Sequence, residues 1–207
     1  MPASVARSRV HDLYRSGVDA VRTTTTDFDH TDWQAPGVGD WSNADVARHM
    51  LAVSRWYHHW LDRALDGATD PPFPADQLDV RNRDELEQLA DVDGPSAIEL
   101  FVESADRYLV RVDPHWEVVY GFPFGTVTAG LHAGVAASEW HLHAWDLSRT
   151  DRRHQPADPE GLFLAAGACL SEAEGGIKGA VVARVVPLVA RRNPWPSLLR
   201  RSGRDPG

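Results

Sequence analysis

Apolar residues recur at three- and four-residue spacing along most of the chain, a periodicity that predicts helices. Val10, Tyr14, Val18 and Val21 carry it through residues 3–29, with Val5, Leu13 and Phe28 extending it loosely. Thr31 to Trp41 contains Pro36, Gly37 and Gly39 and reads as a loop. Ser42 then offers an N-cap, and Asp45 three residues later complements the positive helix end. A second helix is predicted from there to about Ala68. Its apolar stripe is Val46, His49, Met50, Val53, Trp56, Tyr57, Trp60, Leu61 and Leu65, which turns His49 toward the core. Pro71, Pro72 and Pro74 make Asp70 to Asp79 a long loop. A third helix starts near Arg83, or again after Pro95, and ends near Val112; its apolar face is Leu86, Leu89, Ile98, Phe101, Ala105, Tyr108 and Leu109. Asp113 to Phe124 reads as loop with a short extended piece. A fourth helix is expected from Thr126 to about Thr150, a fifth from Pro159 to Glu174 and a sixth from Ile177 to Ala190. A basic tail follows from Pro194 to Gly207. Four long amphipathic helices with long connections predict an all-α fold, a four-helix bundle with additional C-terminal helices.

Length and charge narrow the classes. The chain of 207 residues suggests one domain with a substantial core. It carries 21 basic and 30 acidic side chains, a net charge of −9, which argues against a nucleic-acid partner. Lys178 is the one lysine; the abundance of Ala, Asp, Val and Arg suggests a high-GC genome such as an actinobacterium's. Cys169 is alone, so neither an internal disulfide nor a cysteine zinc knuckle can form. It lies in the apolar run from Phe163 to Leu170 and reads as a buried, inert thiol. With no apolar signal core and no uncharged run of about 20 residues, a cytoplasmic protein with no membrane partner is expected. Ten histidines is a high count and points toward metal chemistry.

The chemistry concentrates in Ser138-Glu139-Trp140-His141-Leu142-His143-Ala144-Trp145-Asp146-Leu147. Glu139 and His143 stand one helical turn apart on one face. Such pairs are commonly solvated surface pairs. Here the preceding stretch, Gly125 to Ala137, is almost uncharged, so the helix reads as buried, and a buried carboxylate must be paired or metal-bound. If the second and fourth helices pack together, His49 joins them. Two imidazoles and a carboxylate make a divalent-metal site with a position open to water or substrate. His132, seven residues before Glu139, shares that stripe; it is either an acid/base group or a hydrogen-bonded core histidine. Asp146 lies on a different face from His143 and is either an orienting group for the ligands or a structural cap or arginine partner. His58, His59, His115 and His141 read as surface or pocket rim.

Several segments resemble a known family. Gly39-Asp40-Trp41-Ser42-Asn43-Ala44-Asp45-Val46-Ala47-Arg48-His49 is similar to a motif of the DinB/YfiT-like superfamily, and more narrowly of the mycothiol-dependent maleylpyruvate isomerase family. Glu139-Trp140-His141-Leu142-His143-Ala144-Trp145-Asp146-Leu147 resembles that family's E-x-x-x-H-x-W-D-L segment, and Gly125-Thr126-Val127 also resembles members of the group. The tail Leu198-Leu199-Arg200-Arg201-Ser202-Gly203-Arg204-Asp205-Pro206 resembles the terminal segment of short actinobacterial members. The resemblance implies a DinB-like bundle with one divalent metal, usually zinc, held by His49, Glu139 and His143. It implies mycothiol as the thiol cofactor. On that basis residues 1–207 are one domain, with 1–155 the metal-binding core and 156–207 C-terminal helices and tail. The full-length isomerase carries an extra C-terminal domain that contributes to its active site, and this chain is expected to lack it. The aromatic run Trp56-Tyr57-His58-His59-Trp60 marks an acceptor pocket of a different kind.

A metal-held thiolate attacking a small electrophile, as in an S-transferase or isomerase, is the leading expectation, with His132 and Asp146 as supporting catalytic groups. Metal-assisted hydrolysis by a bound water and a non-catalytic metal- or ligand-binding bundle are the alternatives. The expected partners are a small electrophile and a low-molecular-weight thiol, and the protein is a monomer or homodimer.

Overall fold

The computed structural model describes residues 5–123, 125–148, 153–165, 195–202 and 204. Four long helices dominate it: α1 (Arg7–Thr25), α3 (Asn43–Leu65), α5 (Gly94–Val112) and α6 (Ala129–Leu147). Two shorter ones, α2 (His30–Gln34) and α4 (Leu78–Gln88), fill connections, and an antiparallel hairpin of β1 (Val119–Phe122) and β2 (Gly125–Thr128) precedes α6. A helix over Trp195–Arg201 follows a helical stretch at 159–165. The all-α bundle expected from periodicity is the observed fold.

The packing explains the pattern. α1 lies along α6, and α3 along α5, with α3 and α6 also in contact. Val10, Tyr14, Val18 and Val21 of α1 are buried, as are Val46, Met50, Tyr57, Trp60 and Leu61 of α3. Gly17 permits the α1–α6 approach: a Cβ there would lie 2.9 Å from the Cβ of Trp140. Ser42 and Asp45 form a reciprocal capping box at the start of α3, Asp45 N–H donating to Ser42 Oγ at 3.2 Å and Ser42 N–H to Asp45 Oδ2 at 3.0 Å.

The departures from expectation are local. The predicted loop from Thr31 to Trp41 holds most of α2, because Asp29 and Asp32 make a second capping box. α3 stops at Leu65, which is 44% exposed, short of Ala68. The third predicted helix is two: Asp93 caps α5 through Ser96 N–H, and Pro95 sits in its first turn, so the chain re-enters helix rather than continuing. Thr126 to Thr128 is strand, not helix. The β-branched Thr126, Val127 and Thr128 pair with Val119 to Gly121, Gly125 takes the turn at φ 139°, and Thr128 then caps α6. The Pro194–Gly207 tail contains the Trp195–Arg201 helix, whose Trp195, Leu198 and Leu199 join the core. The predicted sixth helix, Lys178 and Cys169 lie outside the described residues. Among the described residues no helix is long and apolar enough to cross a membrane.

Candidate metal centre

α6 is buried around most of its circumference, as its uncharged N-terminal half required. The α3–α6 contact brings His49 to His143, with ring centroids 5.1 Å apart and planes at 76°. On α6 itself, His143 Nε2 lies 3.6 Å from Glu139 Oε2. Glu139 is partly exposed, with 38% of its side chain accessible, while the His143 side chain is 6% accessible. The arrangement is thus open to solvent at Glu139, closed at His143 and half-buried at His49. Trp41 covers the other face of His49 at a centroid distance of 4.9 Å. Burial, then the nearby His143 and Arg204, hold the His49 imidazole well below its ordinary pKa, against a smaller opposing effect of Asp146. His49 is therefore neutral near pH 7, the form that ligates metals.

His143 is oriented from behind. Its Nδ1 is 3.0 Å from Asp146 Oδ2. An ionised carboxylate only accepts, so Nδ1 carries a proton and Nε2 is the nitrogen that faces Glu139. That Nε2 is buried and has no hydrogen-bond partner among the described residues. Burial raises the Asp146 pKa, but hydrogen bonds and charge from His143 and Arg204 outweigh it and hold the group below the usual carboxylate range. Arg204 grips both carboxylate oxygens, with Nε 2.6 Å from Oδ1 and Nη2 on Oδ2. Asp146 thus contacts His143 and pairs with Arg204, the arginine partner being one of the alternatives its sequence position offered. The i to i+3 spacing puts it beside His143, not on a separate face. Arg204 was not singled out by sequence reasoning; its signal lay in the G-R-x-P tail.

His132 lies elsewhere. It is fully buried, 4.3 Å from Tyr57, 5.4 Å from Trp60 and 5.1 Å from Phe122 between ring centroids. Its Nδ1 is hydrogen-bonded to the Tyr108 hydroxyl at 3.1 Å and to that of Tyr120. Burial pushes its pKa down to about 3. It is three helical turns from His143 along α6, on the same stripe but among aromatic rings. His141 also differs from expectation: it is 1% exposed, its Nε2 near the Leu13 carbonyl at 3.1 Å and its Nδ1 2.7 Å from His154 Nε2. It locks α1 to α6 instead of lining a rim.

The structure therefore assembles His49, Glu139, His143 and Asp146 at one end of α6 and leaves His132 apart. Among the described residues, no group of three or more His, Cys, Asp or Glu side chains is placed to hold a metal ion as the side chains stand. What is present is a pairwise arrangement: two imidazoles in ring contact, and a carboxylate beside the unpartnered ring nitrogen of one of them.

Fold and site together define a helical-bundle domain with a histidine–carboxylate centre. The family model for the mycothiol maleylpyruvate isomerase N-terminal domain matches residues 14–148, and the chain belongs to that family. No curated protein and no solved structure matches it. The matched region contains His49, Glu139, His143 and Asp146 and ends before Arg204.

Proposed function

We propose that this chain is a divalent-metal-dependent enzyme that uses mycothiol, as an S-transferase or isomerase acting on a small electrophile. The observation that carries the reading is the buried, unpartnered Nε2 of His143 beside Glu139 and His49. A buried polar atom left without a partner costs about 1–3 kcal/mol. Among the described residues His132 Nε2 is equally unpartnered, but unlike it the His143 nitrogen stands beside a carboxylate and a second imidazole. The donor types suit zinc or a similar ion, and His49, Glu139 and His143 are the side chains that would hold it, leaving a position open. A metal bound there lowers the pKa of a thiol and so supplies a nucleophile at neutral pH.

The chain's own residues set the conditions. Asp146 holds His143 through Nδ1, and Arg204 holds Asp146, so the ring is oriented with Nε2 toward Glu139 before anything binds. Glu139 supplies negative charge on the accessible side. Trp41 packs on His49, and burial of His143 limits water at its ring, which strengthens electrostatic interactions there. In this reading His132 is a packing and positioning residue within its aromatic shell, and residues 156–207 contribute Arg204 to a core centred on residues 1–155. A cytoplasmic setting and a monomer or homodimer accompany the proposal.

Turnover by zinc-loaded protein of a panel of small electrophiles tests it. The rate should saturate with mycothiol, be negligible without it and be poor with glutathione. Equal rates with and without thiol would replace this reading by metal-assisted hydrolysis. Metal retention with neither activity would leave a binding bundle.

A further inference from the structure

A second cluster lies on the opposite side of α3. His58 is nine residues after His49, about half a turn round the helix and roughly 13 Å along it. There Arg55 and His58 of α3 meet Ser104, Arg107 and Arg111 of α5 around a cavity of about 340 Å³. Three guanidinium groups converge on it in a chain whose net charge is −9.

The cavity is internally braced. Arg111 Nη1 donates to His58 Nδ1 at 3.0 Å, and a guanidinium has no acceptor, so His58 carries its proton on Nε2. That Nε2–H donates to the Ser104 carbonyl at 2.9 Å. Arg111 Nη2 is held by Asp62. His58 is therefore neutral; burial, then Arg111 and Arg107, lower its pKa, with the Ser104 carbonyl and Asp62 opposing. The remaining positive charge is only weakly compensated. Arg107 reaches Glu103 only at 3.6 Å, both side chains being about two-thirds exposed, and Arg55 forms no ion pair with a described residue. The Ser104 hydroxyl is buried without a hydrogen-bond partner among the described residues.

We propose that this cavity is a binding site for a doubly charged oxyanion, the phosphate or dicarboxylate group of a small ligand. Arg55 and the weakly paired, exposed Arg107 supply charge, Arg111 is pre-oriented by Asp62 and His58, and guanidinium forks match such oxyanions in a bidentate way. The proposal is independent of the metal centre, and its test uses metal-free protein.

Isothermal titration of the chelator-treated chain with inorganic phosphate and with succinate at low ionic strength reads it directly. At least one anion should bind at one site per chain with a Kd of about 1 mM or tighter. The R55Q/R107Q double variant should bind at least tenfold more weakly while its thermal midpoint stays near that of the parent, since both side chains are exposed. Physiological salt should weaken the parent's binding. A response to phosphate alone identifies a phosphate-bearing ligand, and one to succinate alone a dicarboxylate. No heat from either up to about 10 mM, or equal binding by the double variant, would overturn the site.

Discussion

Two buried histidines on one stripe of α6, His132 and His143, have come to opposite ends. Both have a buried Nε2 with no hydrogen-bond partner among the described residues. They differ in what touches the other nitrogen and what surrounds the ring. Asp146 holds Nδ1 of His143, and Glu139 and His49 stand beside it. Phenol hydroxyls of Tyr108 and Tyr120 hold Nδ1 of His132, and aromatic rings enclose it. A carboxylate behind an imidazole makes it a better donor toward a cation. Phenols within an aromatic shell offer no negative charge and favour a neutral ring locked in a core. Helical spacing put both histidines on the same face; their neighbours decide what each can do.

The strongest way to break the contrast is to remove one histidine at a time. His143→Ala should abolish thiol-dependent turnover, by a thousandfold or more if the metal supplies the nucleophile. His132→Phe should retain the greater part of it, as steady-state rates on metal-loaded protein will show. The support behind His143 comes next. Arg204→Ala and Asp146→Asn should each weaken zinc binding about 10- to 100-fold, the usual cost of losing a ligand's orienting partner. Chelator competition measures this without reference to activity, and Arg204→Lys should recover only part of the loss, because lysine cannot form the two-pronged contact.

The smaller effects fall on stability. His132→Phe removes two buried hydroxyl contacts and should destabilise the metal-free fold by roughly 1–3 kcal/mol in denaturant melts. The pH dependence has a definite sign. Burial places the folded His132 pKa at about 3, below an unfolded value near 6.5. The unfolded chain then binds more protons between those values, so stability is complete above about pH 6.5 and falls as pH drops toward 3. The slope is about 1.4 kcal/mol per pH unit from His132 alone, and the His141–His154 pair, each lowered to about 4 chiefly by burial, steepens it. Denaturation of metal-free protein at pH 7, 6 and 5 will read this slope, and His132→Phe should flatten it.

Much of this was legible in the chain. The α3 stripe fixed the side of His49, the Ser42/Asp45 cap fixed where α3 begins, and the Glu139/His143 spacing fixed their shared face. Each depends on residues within one or two turns. What escaped depends on distant partners or on competing local rules. Thr126 to Thr128 followed a helical pattern into α6, yet pairing with Val119 to Gly121 drew them into a strand. Tyr120, on that strand, is what closes over His132. Arg204 stands 58 residues beyond Asp146, and no periodicity links the two.

The measurement that bears most directly on the central claim is zinc stoichiometry and affinity across four chains: the parent, His49→Ala, His143→Ala and His132→Phe. The account predicts one ion per chain in the parent and in His132→Phe, and loss of most of it in the other two with helical content intact. Full zinc content in both His49→Ala and His143→Ala, or its loss in His132→Phe alone, would contradict it.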